Sequence, residues 1–158
     1  MAKDASRDLK AVAVAVQRQR LAGGDLKLLR TRIAELEELK TEQRFVKAAL
    51  RSLRVAATQL KDIEARSGGE PFDEKAFAAL PEQLRTRILT RLGNIAKRMA
   101  DASERDRTSN YSDPAFKCLS DYETCRHAAK TASLWCQLAL VVCLLRTVLP
   151  SVASLGRK

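Results

Sequence analysis

The chain has 158 residues, enough for one ordinary domain with its own core and too few to expect two. Hydrophobic residues make up 46% of it, which argues against wholesale disorder. Ala, Leu, Arg and Lys are abundant while Gly and Pro are few, which favours helix almost everywhere. With 29 Lys and Arg against 19 Asp and Glu, the formal net charge is +10, so an acidic partner or an anionic surface is electrostatically plausible.

The first predicted helix covers Lys3–Leu21 and is stopped by the pair Gly23-Gly24. A second helix is expected over Asp25–Ser67, because Asp is a good N-cap and neither Gly nor Pro interrupts this stretch. Such a helix would be roughly 60 Å long. That is too long for a compact domain, so the helix must project, bend or find a partner. Its apolar stripe slips near Lys40–Gln43, which argues against a regular coiled coil and for packing on its own neighbours.

Six cations lie beside this stripe on one face of the second helix. They follow one another at steps of four, three, four, three and seven residues, with no carboxylate on that face: Lys40, Arg44, Lys47, Arg51, Arg54 and Lys61. One hypothesis is an anionic-partner face, where each cation contacts an acidic group or a backbone phosphate without reading a base. The other is a solvated face whose long side chains cover apolar surface. The lack of an aromatic residue placed for base stacking favours the second.

The turn Gly68-Gly69-Glu70-Pro71 marks the clearest boundary in the chain. A short helical turn is expected after Asp73. A third long helix is expected from Pro81, a residue suited to the first helical position, to about Arg105.

The last third of the chain is predicted to be one long helix, Asp113–Leu155. Asp113-Pro114 is an N-cap followed by proline, and neither Gly nor Pro follows before Pro150. Cysteines at spacings of seven, eleven and seven fall on nearly one azimuth of such a helix. Together with small residues they form a predicted helix-packing seam that a partner could approach closely: Cys125, Ala129, Ala132, Cys136, Ala139 and Cys143.

The four cysteines could bind a metal, form disulfides or stay as free thiols. Zinc sites use closely spaced pairs, and residues seven or eleven apart on one straight helix are too distant to converge. Disulfides within the helix fail similarly, because seven residues rise about 10.5 Å whereas bridged Cα atoms lie within roughly 7 Å. Free thiols packed as small apolar side chains are therefore the expected state.

The cysteine count also resembles that of the coiled-coil-helix-coiled-coil-helix proteins of the mitochondrial intermembrane space, in which two disulfides join antiparallel helices. In a hairpin of that kind, the resemblance would imply that Cys118 meets Cys143 and that Cys125 meets Cys136. Paired cysteines in that family have a longer spacing, and Arg126–Trp135 contains no turn former. We therefore do not assign the chain to this family.

Motifs that carry catalysis are absent from the sequence, which has no Gly-rich phosphate loop, no G-x-S-x-G elbow and no H-E-x-x-H. The sole histidine, His127, lies about 100° round the helix from the cysteine stripe and is poorly aimed for a Cys-His couple. Glu37, Glu38 and Glu42 are typical of helix-surface charge. We therefore expect no enzymatic activity, no catalytic or metal-binding residue and no cofactor.

Residues 131–155 raise the question of a membrane span. Thr131–Leu145 carries no charge but is shorter than the roughly 20 residues that span a bilayer, and a longer stretch includes Arg146. The central helix of a soluble bundle is equally apolar all round. We favour the buried helix, with membrane attachment through residues 131–155 as the alternative.

The sequence therefore predicts an all-α protein, a helical bundle of three long helices plus one or two short ones, with an apolar C-terminal helix at its centre. Residues 1–112 are a basic amphipathic region and residues 113–158 the cysteine-bearing helix, within a single domain. The expected function is a non-catalytic scaffold or adaptor, a subunit of a larger assembly that binds a protein partner or itself and no small-molecule substrate.

Two other functions stay open: a tail-anchored membrane protein with a basic helical domain, and a nucleic-acid-associated protein that contacts phosphates through the basic face. The first apolar run, Ala11–Val16, is short and is not followed by the small-residue pattern of a secretory signal. We therefore expect an intracellular protein, cytoplasmic or organellar, with membrane attachment as an alternative.

Overall fold

Helices dominate the computed structural model of the protein, which describes residues 2–39, 44–105, 112–128 and 133–155. The bundle with an apolar C-terminal helix at its centre is confirmed, although it has more helices than the sequence predicts. Its elements in chain order are α1 (Ala2–Gln17), β1 (Arg20–Leu21), α2 (Gly23–Glu38), α3 (Arg44–Ser67), β2 (Phe72–Asp73), α4 (Glu74–Ala79), α5 (Glu82–Arg105), α6 (Ser112–Ala128) and α7 (Ser133–Leu155).

The prediction of one helix over Asp25–Ser67 is wrong, because two helices, α2 and α3, occupy this stretch. α2 ends at Glu38, and Leu39 after it has an extended backbone with φ −81° and ψ 130°. The predicted slip at residues 40–43 lies outside the described residues. Two shorter helices can both turn their apolar stripes to one core, which a single straight helix of this length could not do.

Two ion pairs show that α2 and α3 lie antiparallel. Arg30, in the first half of α2, pairs with Glu64 near the end of α3 at 2.7 Å. Glu37, near the end of α2, pairs with Arg54 in the first half of α3 at 3.4 Å. The stretch that the sequence predicts as one over-long helix therefore folds back as two helices, which pack against each other within the chain.

A two-stranded antiparallel sheet joins the segments that flank the α2–α3 pair. β1 pairs with β2 so that Leu21 lies opposite Phe72. The predicted first helix, Lys3–Leu21, is too long, since α1 ends at Gln17. Gln19 has a φ of 55°, a left-handed conformation that cannot continue an α-helix.

The middle of the chain folds as the sequence predicts. The side chain of Asp73 accepts a hydrogen bond of 2.9 Å from the backbone N–H of Ala76 and so caps α4, the expected short helical turn. α5 then begins at Glu82, directly after Pro81.

α7 is the central helix and contacts α1, α2, α3, α5 and α6. The side chain of Trp135 on α7 is only 5% exposed and approaches Phe72 of β2, with ring centroids 6.5 Å apart. No helix within the described ranges is long and apolar enough to span a membrane. The apolar residues that α7 buries are Leu134, Trp135, Cys136, Leu138, Leu140, Val141, Val142, Leu144, Leu145, Val148 and Leu149.

Gly93, in the middle of α5, allows a test of the packing between α5 and α7. A Cβ at this position would meet the side-chain nitrogen of Gln137 at 3.7 Å, an ordinary van der Waals distance. We expect Gly93→Ala to raise the free energy of unfolding by about 0.5–1 kcal/mol, because Ala loses less backbone freedom than Gly in a helix.

Urea denaturation measures this change. Gly68→Ala is the control and should lose stability, because Gly68 has a φ of +55° that strains any residue with a Cβ. A Gly93→Ala protein less stable than wild type would contradict the described spacing between α5 and α7.

Candidate functional site

Two disulfides join α6 to α7. One links Cys118 to Cys143 and the other links Cys125 to Cys136, each with its Cα atoms 5.8 Å apart. Moving seven residues forward along α6 moves the partner seven residues backward along α7, so the helices are antiparallel. The single helix predicted over residues 113–155 is therefore wrong, and so is the expectation of free thiols.

The geometric objection to disulfides holds only for one straight helix. With α6 ending at Ala128 and α7 beginning at Ser133, residues far apart on the chain face each other across a helix pair. Because residues seven apart lie on nearly the same side of a helix, both cysteines of α6 face both cysteines of α7. The equal spacing of seven in the two halves was the sequence signal for this pairing, and the pairing is the one that a disulfide-linked hairpin implied.

The predicted helix-packing seam is divided between these two helices. Cys125 lies on α6, Cys136 and Cys143 lie on α7, and all three are in disulfides. Ala139 is exposed, and Ala129 and Ala132 lie outside the described residues. α6 is thus the neighbour that comes close to the cysteine side of α7. Cys118, absent from the predicted seam, belongs to this contact.

α6 packs mainly against α7. Its buried side chains, among those described, are Ala115, Cys118 and Tyr122. Phe116 is 56% exposed and points away from the core. α6 contacts α5 as well as α7. The two disulfides add covalent links to this side-chain contact between α6 and α7.

A cleft lies over α7 between α1 and α6. One part, of about 280 Å³, is lined by all four cysteines together with Ala13 of α1. The adjoining part, of about 460 Å³, is lined by Ser6 of α1 and Pro114 of α6. The two parts lie next to each other and have four lining residues in common: Cys118, Asp121, Cys143 and Arg146.

The predicted anionic-partner face lies on the surface of α3. Lys47, Arg51, Arg54 and Lys61 are exposed. Lys40 falls outside the described residues, and Arg44 begins α3 without a described side chain. Arg54 also pairs with Glu37 of α2 at 3.4 Å, although 62% of its side chain is exposed. The structure therefore brings four of the six predicted cations together on one exposed helix face.

α5 lies beside α3 and adds further positive charge. No Asp or Glu occurs from residue 83 to residue 100 of α5, while Arg87, Arg91 and Arg98 are exposed. These arginines were not among the predicted site residues. The sequence feature that indicates this positive charge on α5 is the long stretch without acidic residues.

Arg32 and His127 each lie beside a carboxylate. Burial alone would lower the pKa of Arg32, but hydrogen bonds to Glu35 and Asp8 raise it above the ordinary arginine value. The pair with Asp8 ties α2 to α1. His127 is exposed and lies 3.9 Å from Glu123 on the same helix. Among the described residues, no three His, Cys, Asp or Glu side chains are placed to hold a metal ion.

Comparisons of the chain with protein-family models, with curated proteins and with solved structures found no match.

Proposed function

We propose that the protein is a non-catalytic helical adaptor that binds an acidic helix of a protein partner along the exposed face of α3. The observation that carries the proposal is the stretch from residue 44 to residue 61. It contains no Asp or Glu and exposes the cations Lys47, Arg51, Arg54 and Lys61.

The spacing of these cations suits a helical partner. Lys47, Arg54 and Lys61 recur every seven residues, which is about 10.5 Å along the helix axis. A partner helix with carboxylates at the same interval would place one opposite each cation. In helix pairs, flanking charges of this kind commonly determine which partner is bound and in which register.

α5, which packs against α3, carries further exposed cations. Arg91 and Arg98 are also seven residues apart and exposed on this neighbouring helix. Each exposed ion pair contributes little to affinity by itself. The summed field of both helices would instead speed the encounter with an acidic partner and disfavour basic ones.

A nucleic acid is the second candidate, because the same cations could contact backbone phosphates. The exposed side chains that lie with them on α3 include Thr58 and Ala65, which offer no ring for base stacking. Contact of this kind would position a duplex without reading its sequence.

The test compares two double variants that lose the same charge. Lys47→Gln with Lys61→Gln alters the α3 face, and Lys27→Gln with Lys75→Gln removes two exposed cations elsewhere. The probes are a helical peptide with Glu at every seventh position and a short DNA duplex, measured by fluorescence anisotropy across a salt series. We expect the first variant to bind the peptide about 2- to 30-fold more weakly, since an exposed ion pair contributes about 0.2–1 kcal/mol.

The control variant should lose less than about twofold. Equal losses in both variants would mean that net charge alone attracts the peptide, which contradicts the proposed face. Tighter binding to the duplex, with a salt slope that falls by about 0.9 for each lost phosphate contact, would instead favour the nucleic-acid function.

A further inference from the structure

We propose that α6 is a redox-controlled latch, closed on α7 by the two disulfides and released when a dithiol reductant opens them. The proposal concerns the side of the bundle formed by α6 and α7 and does not depend on the function proposed for α3. It rests on the fact that α6 packs mainly against α7, on where the disulfides lie and on what α7 touches elsewhere.

The disulfides lie within reach of an external reductant. Cys118 and Cys136 are buried, but Cys125 and Cys143 are only half-buried, so each bond has one sulfur closer to the surface. All four cysteines line the cleft between α1 and α6. A thiolate entering this cleft can therefore meet either bond without prior unfolding of the bundle.

The exchange is balanced by a dithiol alone. One thiolate of the reductant attacks Cys125 or Cys143, forms a mixed disulfide and expels the partner cysteine as a thiolate, which takes up a proton. The second thiol of the reductant then attacks the mixed disulfide and frees the remaining cysteine. For each bond the reductant is oxidised to a disulfide and one cysteine pair is reduced to two thiols.

Reduction would remove both covalent links between α6 and α7 and leave only side-chain packing to hold α6. Among its described side chains, Ala115, Cys118 and Tyr122 are buried, and Leu119 and Cys125 are half-buried against the core. α6 contacts α5 besides α7, whereas α7 also contacts α1, α2, α3 and α5. We therefore expect opening to be confined to α6, with the rest of the bundle folded.

Release of α6 would uncover one side of α7. Cys136, Leu140 and Cys143 are spaced four and three residues apart and line the cleft with Tyr122 of α6. Thr147, four residues further along, lies 3.6 Å from the sulfur of Cys118. The reduced protein would thus display a stripe of apolar and thiol side chains that the oxidised protein covers.

Hydrogen–deuterium exchange of the full chain, before and after reduction with dithiothreitol, tests the latch. Thiol alkylation and mass spectrometry establish that both pairs are reduced. We expect amide exchange in α6 to rise at least tenfold, while exchange in α2, α3 and α5 changes less than twofold. The double variant Cys118→Ser with Cys125→Ser lacks both disulfides and should show the open pattern without reductant and no further change with it.

Three results would overturn the latch. Unchanged exchange in α6 with all thiols free would show that packing alone holds the helix. A rise throughout the bundle would show that the disulfides support the whole fold. Disulfides that resist dithiothreitol until the protein is denatured would show that the cleft gives no access. The wild-type experiment decides among these even if the variant does not fold.

Discussion

Replacing Trp135 with Ala is expected to lower the free energy of unfolding by about 3–5 kcal/mol. Trp135 is 5% exposed on the central helix, and its ring lies 6.5 Å from that of Phe72. The change would remove a large buried side chain and leave a cavity between α7 and the small sheet. Urea denaturation followed by circular dichroism measures it, since the only tryptophan fluorophore is lost.

Phe116→Ala is the matched control, because it also removes an aromatic ring but from a side chain that is 56% exposed. This variant should stay within about 0.5 kcal/mol of wild type. Similar losses in the two variants would contradict the central position of Trp135.

Removing the outer disulfide should have the next largest effect. We expect Cys118→Ala with Cys143→Ala to lose about 2–4 kcal/mol of stability under oxidising conditions, because the bond closes a chain segment with a sequence separation of 25 and restricts the unfolded state. The disulfide between Cys125 and Cys136 stays in place, so α6 should unfold together with the bundle.

A comparison in the presence of reductant separates the cross-link from the packing of the two side chains. Reduced wild type and the reduced variant both lack disulfides, so their difference in stability should shrink to below about 1 kcal/mol. A difference that persists undiminished would assign the loss to side-chain packing rather than to the covalent bond.

The apolar stripes of the helices can be predicted from sequence because a buried helix face repeats every three or four residues. The ends of α2 and α6 cannot be predicted in this way. Residues 39–44 and 128–133 contain neither Gly nor Pro, and their local preference is compatible with helix. Tertiary packing ends these helices. A bundle buries the apolar stripes of α2 and α3 in one core, whereas a single long helix would leave these stripes without neighbours.

The candidate sites also differ in how far they can be predicted from the sequence. The exposed cations of α3 follow from helical spacing alone, which needs no knowledge of the neighbours. The ion pair of Arg54 with Glu37 and the two disulfides depend on helices that fold back, so spacing on one straight helix hides them.

The antiparallel arrangement of α6 and α7 also decides which disulfides can form during oxidative folding. Four cysteines allow three complete pairings. Bonds within each helix would have to bridge about 10.5 Å, and the two bonds of the crossed pairing would require one helix to slide along the other by a similar length in opposite directions. Once the two helices have docked, only the observed partners meet. The antiparallel packing therefore selects the observed pairing during oxidation, and neither alternative pairing is compatible with the folded hairpin.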